Sequence, residues 1–189
     1  SMQAHAQGAA DIAMESAQTR IDLSKEYPTE PLDLGLPDLN ALPEDISTLK
    51  DLKVLNIFRA NISDISALSG LTNLQELNVG ATSVSNVSSL SNLTAMQRLS
   101  LMNTPVSDIS ALAGLSELQS LILSGTDVSD VTPLGDLTKL KELVLAGTSV
   151  SDITGLTGLT AMRDLSLMGT AVSDIQVLSE FHALEDLNL

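Results

Sequence analysis

GTDVSDVTPLGDLTKLKELVL (residues 125–145) is followed, after one alanine, by GTSVSDITGLTGLTAMRDLSL (residues 147–167). Superposed, the two agree in their GT and VSD positions and in a closing apolar-x-x-Leu-x-Leu, so the chain repeats every 22 residues. Working outward, one apolar slot runs through Leu52, Leu74, Met96, Leu118, Leu140, Met162 and Leu184. Three residues on lie Leu55, Leu77, Leu99, Leu121, Leu143, Leu165 and Leu187, and two beyond those Ile57, Val79, Leu101, Leu123, Leu145, Leu167 and Leu189. Later slots hold Ile62 to Val172, Ile65 to Ile175, Leu68 to Leu178, and Leu71 to Phe181 in the same register.

The Leu-x-Leu alternation has the period of a strand, whereas the later apolar residues fall every three and suit a 3₁₀ or helical turn. Each unit therefore predicts one coil. A lone coil cannot bury its apolar side, so coils stack, and strands about 4.8 Å apart become a parallel sheet on one face.

Composition agrees with this reading and closes off other classes. The chain has 189 residues, enough for one domain or one repeat array. Hydrophobic residues make up 43% but aromatics only 2%, namely Tyr27, Phe58 and Phe181, so the core must be aliphatic. Nine Lys and Arg against 24 Asp and Glu give a formal charge of −15, which repels a phosphate backbone and argues against nucleic acid as partner. With no cysteine, thiol nucleophiles, zinc fingers and disulfide scaffolds are closed. No apolar run is long enough to cross a membrane, so no membrane insertion is expected.

The recurring block GTxVSD[IV]xxLxxLxxLxxLxL resembles the 22-residue leucine-rich repeats of the internalin group of bacterial proteins, over about Leu32 to Leu189. The resemblance implies an α/β solenoid: a right-handed leucine-rich repeat coil with a parallel β-sheet on its concave face and short 3₁₀ or helical turns on its convex face. It also implies a bacterial protein of secreted, surface or host-directed type. An earlier unit with Leu32, Leu34, Leu39, Leu42, Ile46 and Leu49 runs 23 residues and resembles a different bacterial repeat form.

The chain departs from the family where these repeats usually carry Asn. It has Thr82, Thr104, Thr126, Thr148 and Thr170 instead, with Ala60 and Pro37 at the front. A hydroxyl ladder to the backbone of neighbouring coils is expected there. Gly125, Gly147 and Gly169 just before it suit a tight turn leaving the strand. Asp64, Asp108, Asp130, Asp152 and Asp174, with Asn86 in the same slot, suggest either a metal ladder or caps on the short turns. Capping is the better reading, because like charges one strand spacing apart belong in solvent and a carboxylate satisfies free N–H groups.

Residues 1–8 are expected to be a tag remnant and flexible tail, and residues 9–30 a capping helix and linker, from the spacing of Ala9, Ala10, Ile12, Ala13, Met14 and Ala17. The repeat array over residues 31–189 stops in the middle of Leu-x-Leu, so it is expected to be truncated at its C-terminus, with an open apolar edge. Catalytic candidates are few. His5 and His182 lie at opposite ends, and no phosphate-binding, zinc-protease or Ser-His-Asp pattern is present. No catalytic residue, cofactor or metal site is assigned, and a monomer is expected.

Residues between and just after the inward leucines project from the strands on the concave side. Met102, Ile122, Val144, Ala146 and Met168 are expected to form an apolar stripe there, flanked by Arg98 on one side and by Glu142, Asp164 and Asp186 on the other, with Phe58 in the same face. Folding does not require those side chains to be apolar. A patch with a polar rim marks an interaction site, and Met adapts to varied partners. Against this, scattered apolar residues also satisfy β propensity. The function expected is a non-catalytic module that binds a partner protein on its concave face. The alternative is the substrate-recognition domain of a larger bacterial effector enzyme whose catalytic domain lies outside this chain.

Overall fold

In a computed structural model, residues 31–189 are described, and the expectations for residues 1–30 lie outside them. Eight short strands form one parallel sheet in sequence order: β1 (Leu32–Asp33), β2 (Val54–Asn56), β3 (Glu76–Asn78), β4 (Arg98–Ser100), β5 (Ser120–Ile122), β6 (Glu142–Val144), β7 (Asp164–Ser166) and β8 (Asp186–Asn188). Leu55 pairs with Leu77, Leu77 with Leu99, and so on to Leu187, a constant offset that reproduces the sequence period. Leu32 pairs with Leu55, which accommodates the longer first unit.

Between strands the chain turns and runs through a 3₁₀ segment, for example Ser66–Leu68 or Thr132–Leu134, each packed on the next. These segments are 3₁₀ because their apolar residues recur every three positions. The leucine of each strand from β1 to β7, the aliphatic residue just past it and most aliphatic residues of the turns meet in one continuous core, with Leu121, Leu143, Leu145 and Leu156 wholly enclosed. Among the described residues, the last coil pairs with β7. There Ile175 and Leu187 are 45% and 41% exposed. Its turn also lengthens to Gln176–Glu180, where Val177 is buried and Leu178 only partly so.

Strands β2 to β7 each leave through a left-handed residue. Gly125, Gly147 and Gly169 have φ of 67°, 68° and 68°, and the equivalent Arg59, Ala81 and Asn103 adopt 65°, 55° and 53°. A Cβ on Gly147 would come no closer than 3.9 Å to any atom beyond its chain neighbours, so only backbone strain opposes a side chain there. Gly147→Ala is therefore expected to cost about 1–2 kcal/mol, and Ala81→Gly to be neutral or to stabilise by up to about 1 kcal/mol. Urea midpoints check both. Equal responses at the two positions would contradict the account of the turn.

The threonines behave differently from the expected ladder. Each hydroxyl donates to the carbonyl three residues earlier in its own coil: Thr82 to Val79, Thr104 to Leu101, Thr126 to Leu123, Thr148 to Leu145 and Thr170 to Leu167, at 2.6–2.7 Å. The turn brings the carbonyl of its own coil within reach of the hydroxyl, and the single O–H is spent on that bond. Thr82, Thr104, Thr126 and Thr148 are buried, so these bonds satisfy polar groups inside the array.

The aspartates cap. The amides of Ser66, Ser110, Thr132, Thr154 and Gln176 donate to Asp64, Asp108, Asp130, Asp152 and Asp174 at 2.8–3.0 Å, and Ser88 donates to Asn86 in the same way. The hydroxyls and then the amides of Ser66, Thr132 and Thr154 hold Asp64, Asp130 and Asp152 below the usual carboxylate range; for Asp108 the amide of Ser110 leads and its hydroxyl follows. A lowered folded pKa means that the stabilisation is complete above the unfolded value, about 3.9, and is lost as pH falls through the folded value. Replacing Asp64, Asp108, Asp130 and Asp152 together by Asn, which Asn86 shows the slot accepts, is thus expected to flatten the fall in melting temperature below about pH 4. Superimposable melting profiles for the two proteins would refute the capping role.

Candidate protein-binding face

The register sorts the outward side chains into three rows. The first holds Val54, Glu76, Arg98, Ser120, Glu142, Asp164 and Asp186; the second Asn56, Asn78, Ser100, Ile122, Val144, Ser166 and Asn188. The third, just past the strands, holds Phe58, Gly80, Met102, Ser124, Ala146 and Met168. Leu55, Leu77, Leu99, Leu121, Leu143 and Leu165 are buried while the first- and second-row residues flanking them are half-buried or exposed, as strand alternation requires; in β8 Leu187 is exposed, and in the third row Gly80 is buried.

Ile122 and Val144 are direct cross-strand partners. Ala146 and Met168 continue the apolar surface into the third row, and Met168 is 53% exposed. Met102 stands one coil before Ile122 and is separated from Ala146 in its own row by Ser124. Phe58 approaches the same glycine as Met102. A Cβ on Gly80 would lie 2.9 Å from Met102 Cγ and 3.0 Å from Phe58 Cδ2, so these two side chains close over the glycine. Arg59 stacks on the Phe58 ring, its guanidinium 5.1 Å from the centroid.

The rim differs from the expectation. Arg98, Glu142, Asp164 and Asp186 do not bracket the stripe; they share the first row, along one edge of it. Arg98 lies near its beginning and pairs with Glu76 at 3.5 Å. The later part of the row is acidic. The Ser120 hydroxyl donates to Glu142, and Asp164 is held above the usual carboxylate range by burial first and then by Asp186, Glu142 and Glu185.

The second row contains residues whose local role the sequence reading missed. Asp33, Asn56 and Asn78 accept the amides of Gly35, Phe58 and Gly80, each two residues on, at 3.0–3.1 Å. Asn56 also donates to Asp33. This Asx bond steadies the strand exit, and an Asn two residues before a turn is its sequence signal. Ile122 and Val144 occupy the same slot without an acceptor, and Ser100 and Ser166 make no such bond there either.

Two shallow hollows line the sheet. One, of about 260 Å³, lies over β2 to β5 between Asn56, Asn78, Arg98 and Ile122; the other, of about 190 Å³, lies between Val144, Asp164, Ser166, Asp186 and Asn188. Among the described residues, no group of three or more His, Cys, Asp or Glu side chains is arranged to hold a metal ion, and no helix is long and apolar enough to cross a membrane.

Stacked Leu-x-Leu strands joined by 3₁₀ turns make this chain a leucine-rich repeat protein. The family described as leucine rich repeats (2 copies) matches residues 116–158. No curated protein matches the sequence. Among solved structures, an internalin (inlF) of Listeria monocytogenes is 30% identical with a TM-score of 0.82, the match covering 96% of this chain and 54% of that one. Internalin C2 (inlC2) of the same organism is 25% identical with a TM-score of 0.78, covering 96% and 92%. A leucine-rich repeat protein of Leptospira interrogans, 21% identical over 79% of this chain and 41% of its own, shares the fold with a TM-score of 0.73. The chain thus spans about half the length of the first of these. More narrowly, then, it is an internalin-like leucine-rich repeat protein.

Proposed function

We propose that the chain is a non-catalytic recognition module that binds a partner protein on its concave face, through Met102, Ile122, Val144, Ala146 and Met168, with Phe58 at one end and Arg98, Glu142 and Asp164 along the edge. The observation that carries this reading is the exchange at the second row. Asn56 and Asn78 fill that slot with a bond the turn uses, yet Ile122 and Val144 fill it with apolar surface that serves no local bond. Apolar side chains set on a rigid strand face, rimmed by charge, have the anatomy of an interface core. Internalin-like repeats favour a secreted or host-directed setting, in which the partner is encountered outside the producing cell.

The test exploits the same slot. Ile122→Asn with Val144→Asn removes the stripe's centre and installs side chains that Asn56 and Asn78 show to be compatible with the strand exit. The double variant is expected to melt within a few degrees of the unaltered protein and to lose capture of the partner at least tenfold. Undiminished capture would reject this face.

A further inference from the structure

We infer that the partner seated on this face presents a cationic side chain, Lys or Arg, to Glu142, Asp164 and Asp186, beside an apolar residue lying on Ile122 and Val144. The inference rests on the binding reading above and adds the charge class of the partner.

Register places Glu142, Asp164 and Asp186 side by side on three successive strands, which are spaced about 4.8 Å apart. Like charges directly opposite on neighbouring strands destabilise a sheet. Nearby acids are compensated: Glu76 by Arg98, Glu117 by Lys139 at 2.7 Å and Glu185 by Arg163 at 3.7 Å. Among the described residues, Glu142, Asp164 and Asp186 form no ion pair, and Glu142 has only the Ser120 hydroxyl. Burial, and then Asp186 through its charge and a side-chain hydrogen bond, raises the Asp164 carboxyl.

The three acids also border apolar surface. The smaller hollow has Asp164 and Asp186 on its wall together with Val144. A bare metal ion would leave Val144 unused, and no metal-holding group is present among the described residues. Lys and Arg suit both parts, because an aliphatic stem lies along apolar surface while the charged head reaches the carboxylates.

Three fluorescent dodecapeptides alternating Leu with Lys, with Ser or with Glu serve as probes, read by anisotropy at low salt. The Lys probe is expected to bind at least tenfold more tightly than the Ser probe, and the Glu probe least. In E142Q/D164N/D186N this preference is expected to fall at least tenfold. The convex variant D108N/D130N/D152N, which removes equal charge from the opposite face, is expected to change it less than twofold. Equal falls in the two triple variants, or no fall in either, would overturn the inference. If the Lys and Ser probes bind alike and both are lost in I122N/V144N, the binding face stands and its preference for cations fails. If neither probe responds to I122N/V144N, the binding face itself fails.

Discussion

Leu143→Ala is expected to lower the unfolding free energy by roughly 3–5 kcal/mol, the upper range for burying a cavity in a packed core. Leu143 sits in β6 between Leu121 and Leu165, wholly enclosed, in the middle of the array. Coils on both sides pack against it, and neither can collapse into the void without leaving register. Because each coil is stabilised mainly by its neighbours, the loss weakens two interfaces at once. Leu187 holds the same slot in the last coil but is 41% exposed, so Leu187→Ala is expected to cost well under half as much. Urea unfolding of the two variants makes the comparison. Similar costs at the two sites would contradict a core built by stacking.

Replacing Met102, Ile122, Val144 and Met168 together by Glu is expected to abolish partner capture, a weakening of more than about 100-fold, and to lower the melting temperature without loss of cooperative unfolding, because Glu at 122 and 144 would face each other across β5 and β6. None of the four is enclosed: Met168 is 53% exposed and the others are half-buried from the concave side only. Binding energy concentrates in a few central apolar contacts, and charge buried there without a partner carries a further desolvation cost. The substitution also extends the acidic edge into the stripe, which would repel an acidic partner and leave a cation with no apolar seat. Full capture by a variant that still melts cooperatively would remove the stripe from the account.

Much of this architecture is legible from the chain because one slot is reread seven times. Leu55 alone says little, but Leu55 to Leu187 at a constant interval prescribes the register of β2 to β8, and with it the burial of the Leu-x-Leu pairs. The glycines at 125, 147 and 169 likewise announce the left-handed turn, although Arg59, Ala81 and Asn103 adopt it without that signal. What a period cannot convey is the direction in which a short polar side chain bonds. The threonine hydroxyls turn to a carbonyl of their own coil because the local turn brings it within reach. Residue spacing places Arg98 in the same row as Glu142 and Asp164, yet its pairing with Glu76 depends on side-chain rotamers. The structural use of Asn56 and Asn78 is similarly local, and it becomes informative only in contrast with Ile122 and Val144.

The most direct measurement is photo-crosslinking from single sites on the two faces. A photoreactive amino acid at 122 or 144 is predicted to join the partner in high yield, whereas one at 111 or 133, on the turns between strands, is predicted to give none. Crosslinks from 111 or 133 with none from 122 or 144 would contradict binding on the strand-lined face.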